Sequence, residues 1–122
     1  MNTYSAKLLF QFRVTIDGDP GKRRTCEERI ILVKAGSAQL ALKKAKREGI
    51  KGQCRYKNAD GNPFFFEFIG IMDLLHLGVE CGHGEVWYDM KERLLPSERK
   101  GKWIPPESML SAILHESNPG KQ

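Results

Sequence analysis

Cysteine is scarce and odd in number. Cys26, Cys54 and Cys81 lie far apart in a chain of 122 residues, and a domain of that length closes a core without covalent staples, so no disulfide framework is expected. No stretch approaches the roughly 20 consecutive apolar residues of a membrane span. The N-terminus, with Lys7 as its first charge, lacks the basic-then-apolar layout of a secretory signal. These absences point to a cytoplasmic protein with reduced thiols and no membrane contact. A phosphate-binding loop, a dinucleotide-type glycine fingerprint and a serine-centred elbow are also missing. So are internal repeats, low-complexity tracts and linkers, which leaves a single domain of 13.9 kDa. Apolar residues at 40% and charged residues at 29% suffice for one ordinary core.

Charge is present but segregated within a net +5. From Gly21 to Lys57, twelve Lys and Arg face only Glu27, Glu28 and Glu48, a surplus of nine positive charges. From Asn58 to Met90 there are six acids (Asp60, Glu67, Asp73, Glu80, Glu85, Asp89) and no Lys or Arg. Blocks on different faces would make the basic one a polyanion site, whereas blocks paired across a sheet would cancel.

Apolar residues occupy the even positions from Tyr4 to Ile16, a period of two that predicts a long strand with one buried face. Leu9 is the apolar exception on the other parity. Asp17-Gly18-Asp19-Pro20-Gly21 predicts a turn, extended through Lys22 to Thr25 as a polar loop. Arg29 to Lys34 is apolar on both parities, as in a central strand, and completes a hairpin with the first. Ser37 is an N-cap for a helix with Ala38, Ala41, Leu42 and Ala45 on its inner face, ending near Gly49. Strands follow at Gln53 to Lys57, at Phe64 to Leu77 after the turn Asn58 to Asn62, and at Glu85 to Leu94, with Gly78 to Gly84 a loop. Pro105-Pro106-Glu107 predicts the start of a C-terminal helix with the stripe Met109, Leu110, Ile113 and Leu114.

The fold class is therefore α+β: an antiparallel sheet of about five strands in the order β-β-α-β-β-β-α, one long helix packed on a sheet face and a short C-terminal helix. Residues 1–94 form the core domain. Residues 95–122 add a basic loop, the C-terminal helix and a frayed tail, packed on or extending the same domain. The second sheet face needs a cover for Leu9, Phe65, Ile69 and Ile71, and the C-terminal helix or a second subunit is expected to supply it.

Tyr4-Ser5-Ala6-Lys7-Leu8-Leu9-Phe10, Glu27 to Ala35 leading into the Ser37 helix with Ala41-Leu42-Lys43-Lys44-Ala45, Tyr56 to Gly61, and Phe68 to Leu74 occur in an order and spacing that resemble domain-of-unknown-function family 4288. The resemblance covers roughly the first 90 residues. It implies a bacterial source and a stand-alone domain, and it carries no reaction, cofactor or ligand.

Reactive side chains gather only at His76, Cys81 and His83. Structural zinc takes four ligands, normally from two paired motifs, so Cys26 or Cys54 would have to complete the set, and no metal is expected. A Cys81/His83 nucleophile would need thiolate activation and an orienting Glu80 or Glu85, in a glycine-rich loop that does not hold a fixed geometry. Asp17 and Asp19 flank a turn glycine and read as solvated. Glu67 and Asp73 share a parity with Ile69 and Ile71, and Arg29 or Arg55 is the expected base for a buried carboxylate. No enzyme and no cofactor are indicated.

Two binding readings remain. The first is a protein-interaction module that self-associates as a homodimer or takes a protein partner, with Leu9, Phe65, Ile69 and Ile71 as its surface. The alternative is nucleic acid bound by Lys43, Lys44, Lys46, Arg47, Lys51, Arg55 and Lys57, with Tyr56, Phe65 and Trp103 available to stack bases. The RNA-recognition consensus is not met, because Phe64-Phe65-Phe66-Glu67-Phe68 places an acid among the rings.

Overall fold

The structure, a computed structural model, describes residues 1–16, 18, 19, 21–78 and 84–117. In chain order its elements are β1 (Asn2–Val14), β2 (Arg23–Ala35), α1 (Ala38–Lys51), β3 (Cys54–Lys57), β4 (Pro63–Gly78), β5 (Gly84–Leu94), 3₁₀ turns at Lys100–Lys102 and Glu107–Met109, and α2 (Ser111–Ser117). The sheet is antiparallel throughout, in the order β3-β4-β1-β2-β5. Four long strands make its body, and the four-residue β3 closes one edge. The α+β class and the antiparallel sheet are those expected from the alternation.

The hairpin differs from expectation. Lys22 to Thr25 is not all loop: Arg23, Arg24 and Thr25 already pair with Leu94, Arg93 and Glu92. Ile16 lies past the end of β1 and bridges Asp19 inside a turn where Gly18 and Gly21 take φ of 80° and 75°. Polar residues extend β2 because a partner strand supplies their backbone hydrogen bonds, which local composition does not reveal.

Tyr4, Ala6, Leu8 and Phe10 of β1 point to one face and are buried against Ala38, Ala41, Leu42 and Ala45 of α1. The Ser37 hydroxyl accepts the Leu40 N–H at 3.3 Å, which fixes the start of α1. Gly49 does not stop the helix, which runs on to Lys51. Its role is close approach, since a Cβ there would sit 2.6 Å from the Phe68 ring.

Pro105-Pro106-Glu107 leads into a 3₁₀ turn rather than α2, because Leu110 takes an extended backbone at ψ 138°. Asp73 then accepts the Ser111 N–H at 3.0 Å where α2 begins. Leu110 and Ile113 are buried as expected, but Met109 and Leu114 face outward and Ala112 takes the inner place. α2 also completes the start of α1. The Glu116 carboxylate accepts the Ala38 N–H at 3.0 Å and the Tyr4 hydroxyl at 2.7 Å. Its burial opposes ionisation, but these donors outweigh it and hold the carboxyl below its usual range.

The second sheet face is covered by the segment 95–104, a strap that follows β5. Leu95 turns the chain back across the sheet at φ 48°. Trp103 and Ile104, with Met72, then pack on Leu9, Cys26 and Ile69. Neither the C-terminal helix nor a second subunit supplies this cover, because α2 lies with α1 on the other face. The row Leu9, Phe65, Ile69 and Ile71 is also not one row. β4 shifts register against β1 between Lys7/Leu8 and between Leu9/Phe10, so Met72 and Ile69 are bulge residues. Between the bulges the alternation inverts. Ile71 pairs with Leu8 and joins the α1 side, while Gly70 faces Ile104, whose side chain fills the space a Cβ would take at 3.1 Å.

Candidate functional site

The strap face carries a polar cavity of about 420 Å³ lined by Gln11, Arg13, Arg24, Gln53, Glu67 and Glu98 with neighbouring residues. Arg13 donates to both oxygens of Glu67 at 2.8 and 2.9 Å, and Gln11 adds a third hydrogen bond at 2.9 Å. The Arg13 guanidinium holds the Glu67 carboxyl below its usual range. Arg24, only 4% exposed, donates to both oxygens of Glu98 at 2.9 Å, to Gln11 at 3.1 Å and to the Gly21 carbonyl at 3.0 Å. Arg24, with Ser97, pulls the Glu98 carboxyl down to about 2. Every charge in this network therefore has a partner. The base expected for Glu67, Arg29 or Arg55, is in fact Arg13. Arg29 instead pairs with Glu27 and lies over the Phe10 ring at 4.8 Å, on the opposite face.

A second group ties the strap to β5. Lys7 lies 2.9 Å from Glu28, which also pairs with Arg93, and Arg93 stacks over Trp103 at 5.2 Å. Cys26 is buried beneath, and desolvation pushes its thiol up to about 11, so it is not a nucleophile near neutral pH. Sequence alone did not single out Gln11, Arg13, Arg24 or Glu98. Gln11 and Arg13 sit on the polar parity of β1, a usable signal for the covered face, but nothing marks Glu98 in its loop.

Of the proposed polyanion residues, three are engaged. Lys44 donates to the Lys34 carbonyl, Lys46 lies 3.2 Å from Glu107, and Lys51 lies 3.5 Å from Glu48. Among the described residues, no carboxylate lies within ion-pair distance of Lys43, Arg47, Arg55 or Lys57. Nor do the described acids of the acidic block neutralise them: Glu67 is taken by Arg13, and Asp73 by Ser111.

The proposed protein-interaction surface is covered within the chain. Leu9 is 0% exposed, Ile69 7% and Ile71 3%, and the Phe65 ring lies under Arg13 at 4.2 Å. Trp103, offered above for stacking, is engaged with Arg93. Cys81 and His83 lie outside the described residues, as do Asp17 and Glu80. His76 packs edge-on against Tyr4 at 5.1 Å. Among the described residues no group of three His, Cys, Asp or Glu side chains is placed to hold a metal ion, and no helix is long and apolar enough to cross a membrane.

Residues 3–86 match the family model described as Domain of unknown function (DUF4288). The chain belongs to that family. The matched DUF4288 stretch holds β1 to β4, α1 and the start of β5, whereas the strap, with Glu98 and Trp103, and α2, with Glu116, lie beyond it. No curated protein and no solved structure matches the chain.

Proposed function

We propose that this DUF4288 protein is a non-enzymatic interaction module of the bacterial cytoplasm that self-associates by extending its sheet at β5. The observation that carries the reading is the contrast between the sheet edges. β3 is only four residues long, a short edge of the kind that discourages pairing. β5 is eleven residues long and is hydrogen-bonded only to β2 in the sheet order. A second copy added antiparallel across a twofold axis would satisfy its outer N–H and C=O groups. The two cysteines among the described residues, Cys26 buried and Cys54 exposed, are both free, which suits a reducing compartment. Glu67 and Glu98, both held ionised, are not poised as general acids or bases near neutrality.

Sedimentation velocity and hydrogen exchange across a concentration series test this. A dimer is expected, with the β5 amides slowing as concentration rises. A monomer at every concentration, or a dimer whose β5 amides exchange unchanged, would overturn it.

A second reading, nucleic-acid binding, is favoured by the four cations on α1 and β3 that no described carboxylate neutralises. Replacing Lys43 and Arg47 with Ala should then lower the salt dependence of oligonucleotide binding.

A further inference from the structure

Among the described residues, Leu95 is the one non-glycine with a positive φ, at 48°. Two properties of the backbone oppose that conformation. In the left-handed region a Cβ crowds the following carbonyl oxygen, and the residue before a proline, here Pro96, is steered toward extended backbone. The turn persists because the rest of the fold holds it. The Leu95 N–H donates to the Lys22 carbonyl, the Leu95 carbonyl accepts the Arg99 N–H at 2.8 Å, and Pro96 is fully buried. The local preference of Leu94-Leu95-Pro96 is to run straight on from β5, and tertiary contacts override it.

Everything past this turn is an arm that wraps the body of the domain. The strap crosses the second sheet face, Ile104 packs against Gly70 of β4, and α2 docks on the first face beside α1. The arm is held by contacts with the body. Glu98 pairs with Arg24, Glu107 lies 3.2 Å from Lys46, and Glu116 caps α1 at Ala38. Leu110 and Ile113 are buried in the core under α1. The arm lies wholly outside the family match, whereas Arg24, Lys46 and Ala38 lie inside it. A second copy of the chain presents the same receiving surface.

We infer that the arm exchanges between two copies of this chain. Leu95 straightens, each arm leaves its own body, and each docks on the other body through the same ion pairs, hydrogen bonds and apolar contacts. Those contacts are equal in the closed and exchanged forms, so they do not choose between them. The turn does: it is strained once in each closed monomer and relieved twice in the exchanged pair, against the freedom lost on association. A short hinge under strain invites exchange, and a rising chain concentration favours it. The partner copy then contributes Glu98 to the Arg24 network and Glu116 to the start of α1, neither of which is complete without it. The inference goes beyond the self-association proposed at β5, because it needs no pairing of sheet edges.

Chemical cross-linking of the unmodified chain tests the exchange. Lys46 and Glu107 lie 3.2 Å apart with both side chains about half exposed, so a carbodiimide will join them as an amide. Isotopically heavy and light protein are refolded together at high concentration, cross-linked and digested, and the Lys46–Glu107 product is weighed. Exchange yields products with one heavy and one light end, about half of the total at equal mixing. Products whose two ends always carry the same isotope would overturn the inference, and if they come from a dimer they leave the β5 pairing standing. Mixed products together with β5 amides that exchange unchanged would support the arm and overturn the β5 reading. Leu95→Gly, which accepts a positive φ without strain, should raise the dissociation constant of the exchanged dimer about tenfold for each of its two hinges. An unchanged constant in that variant would overturn the inference as well.

Discussion

The two faces of the sheet are closed by different physics. Under α1 the cover is apolar: Tyr4, Ala6, Leu8 and Phe10 meet a helix whose inner side is mostly alanine, so helix and sheet approach closely. Under the strap the apolar island is small, and the surrounding hold is electrostatic, through Arg24–Glu98 and Glu28–Arg93. The first face stays closed wherever hydrophobic burial persists, whereas the second depends on ionisation. The strap face is also the one closed from outside the family match.

The largest effect should come from the α1 face. Phe10→Ala removes a ring in contact with Phe66 and Phe68 and should cost about 3–5 kcal/mol in denaturant unfolding. Leu9→Ala, equally buried but set in the small cluster, should cost less, about 2–3 kcal/mol. Equal losses would erase the contrast between the faces. Next is Arg24→Ala, which strands Gln11 and Glu98 and should cost about 2 kcal/mol, reduced from a fully buried pair because Glu98 is 48% exposed. Glu116→Ala should cost about 1 kcal/mol by uncapping α1. A strap deletion that left that loss intact would show the cap and the strap to be independent.

The smallest effect is a response to pH. The Glu98 carboxyl is depressed in the folded protein, from 4.5 to about 2. Its contribution is therefore complete above 4.5 and is lost as pH falls toward 2. Tryptophan emission should report the strap loosening across that window, and Glu98→Gln should abolish the step. A step that persists unchanged in Glu98→Gln would assign it to another carboxylate.

The α1 face was legible in the sequence because alternation in β1 and the three-four spacing of Ala38, Ala41, Leu42 and Ala45 are local patterns with one solution. The strap face was not. A bulge adds a residue to one strand without altering composition, so Ile69 and Ile71 read as neighbours on one face although Ile71 belongs to the other. Glu98 finds Arg24 across 74 positions of chain, a distance over which charge patterns carry no pairing information. The basic block was legible as charge, but which of its members stay free depended on Glu48, Glu107 and the Lys34 carbonyl. Phe10, Phe12, Phe64 and Phe66 read as core because they sit in apolar strands, whereas Tyr56, offered for stacking, is 51% exposed.

The central place of β1 governs the order in which the molecule is made. Its hairpin with β2 is complete once residue 35 has left the ribosome, but its other edge is paired by residues 64–78. At about 5–20 residues per second, that edge waits several seconds for its partner. During that interval the nascent chain presents an apolar strand with one satisfied side, open to the same strand on a neighbouring ribosome. Chains stopped before β4 will accumulate as insoluble material, and chains stopped after it will not.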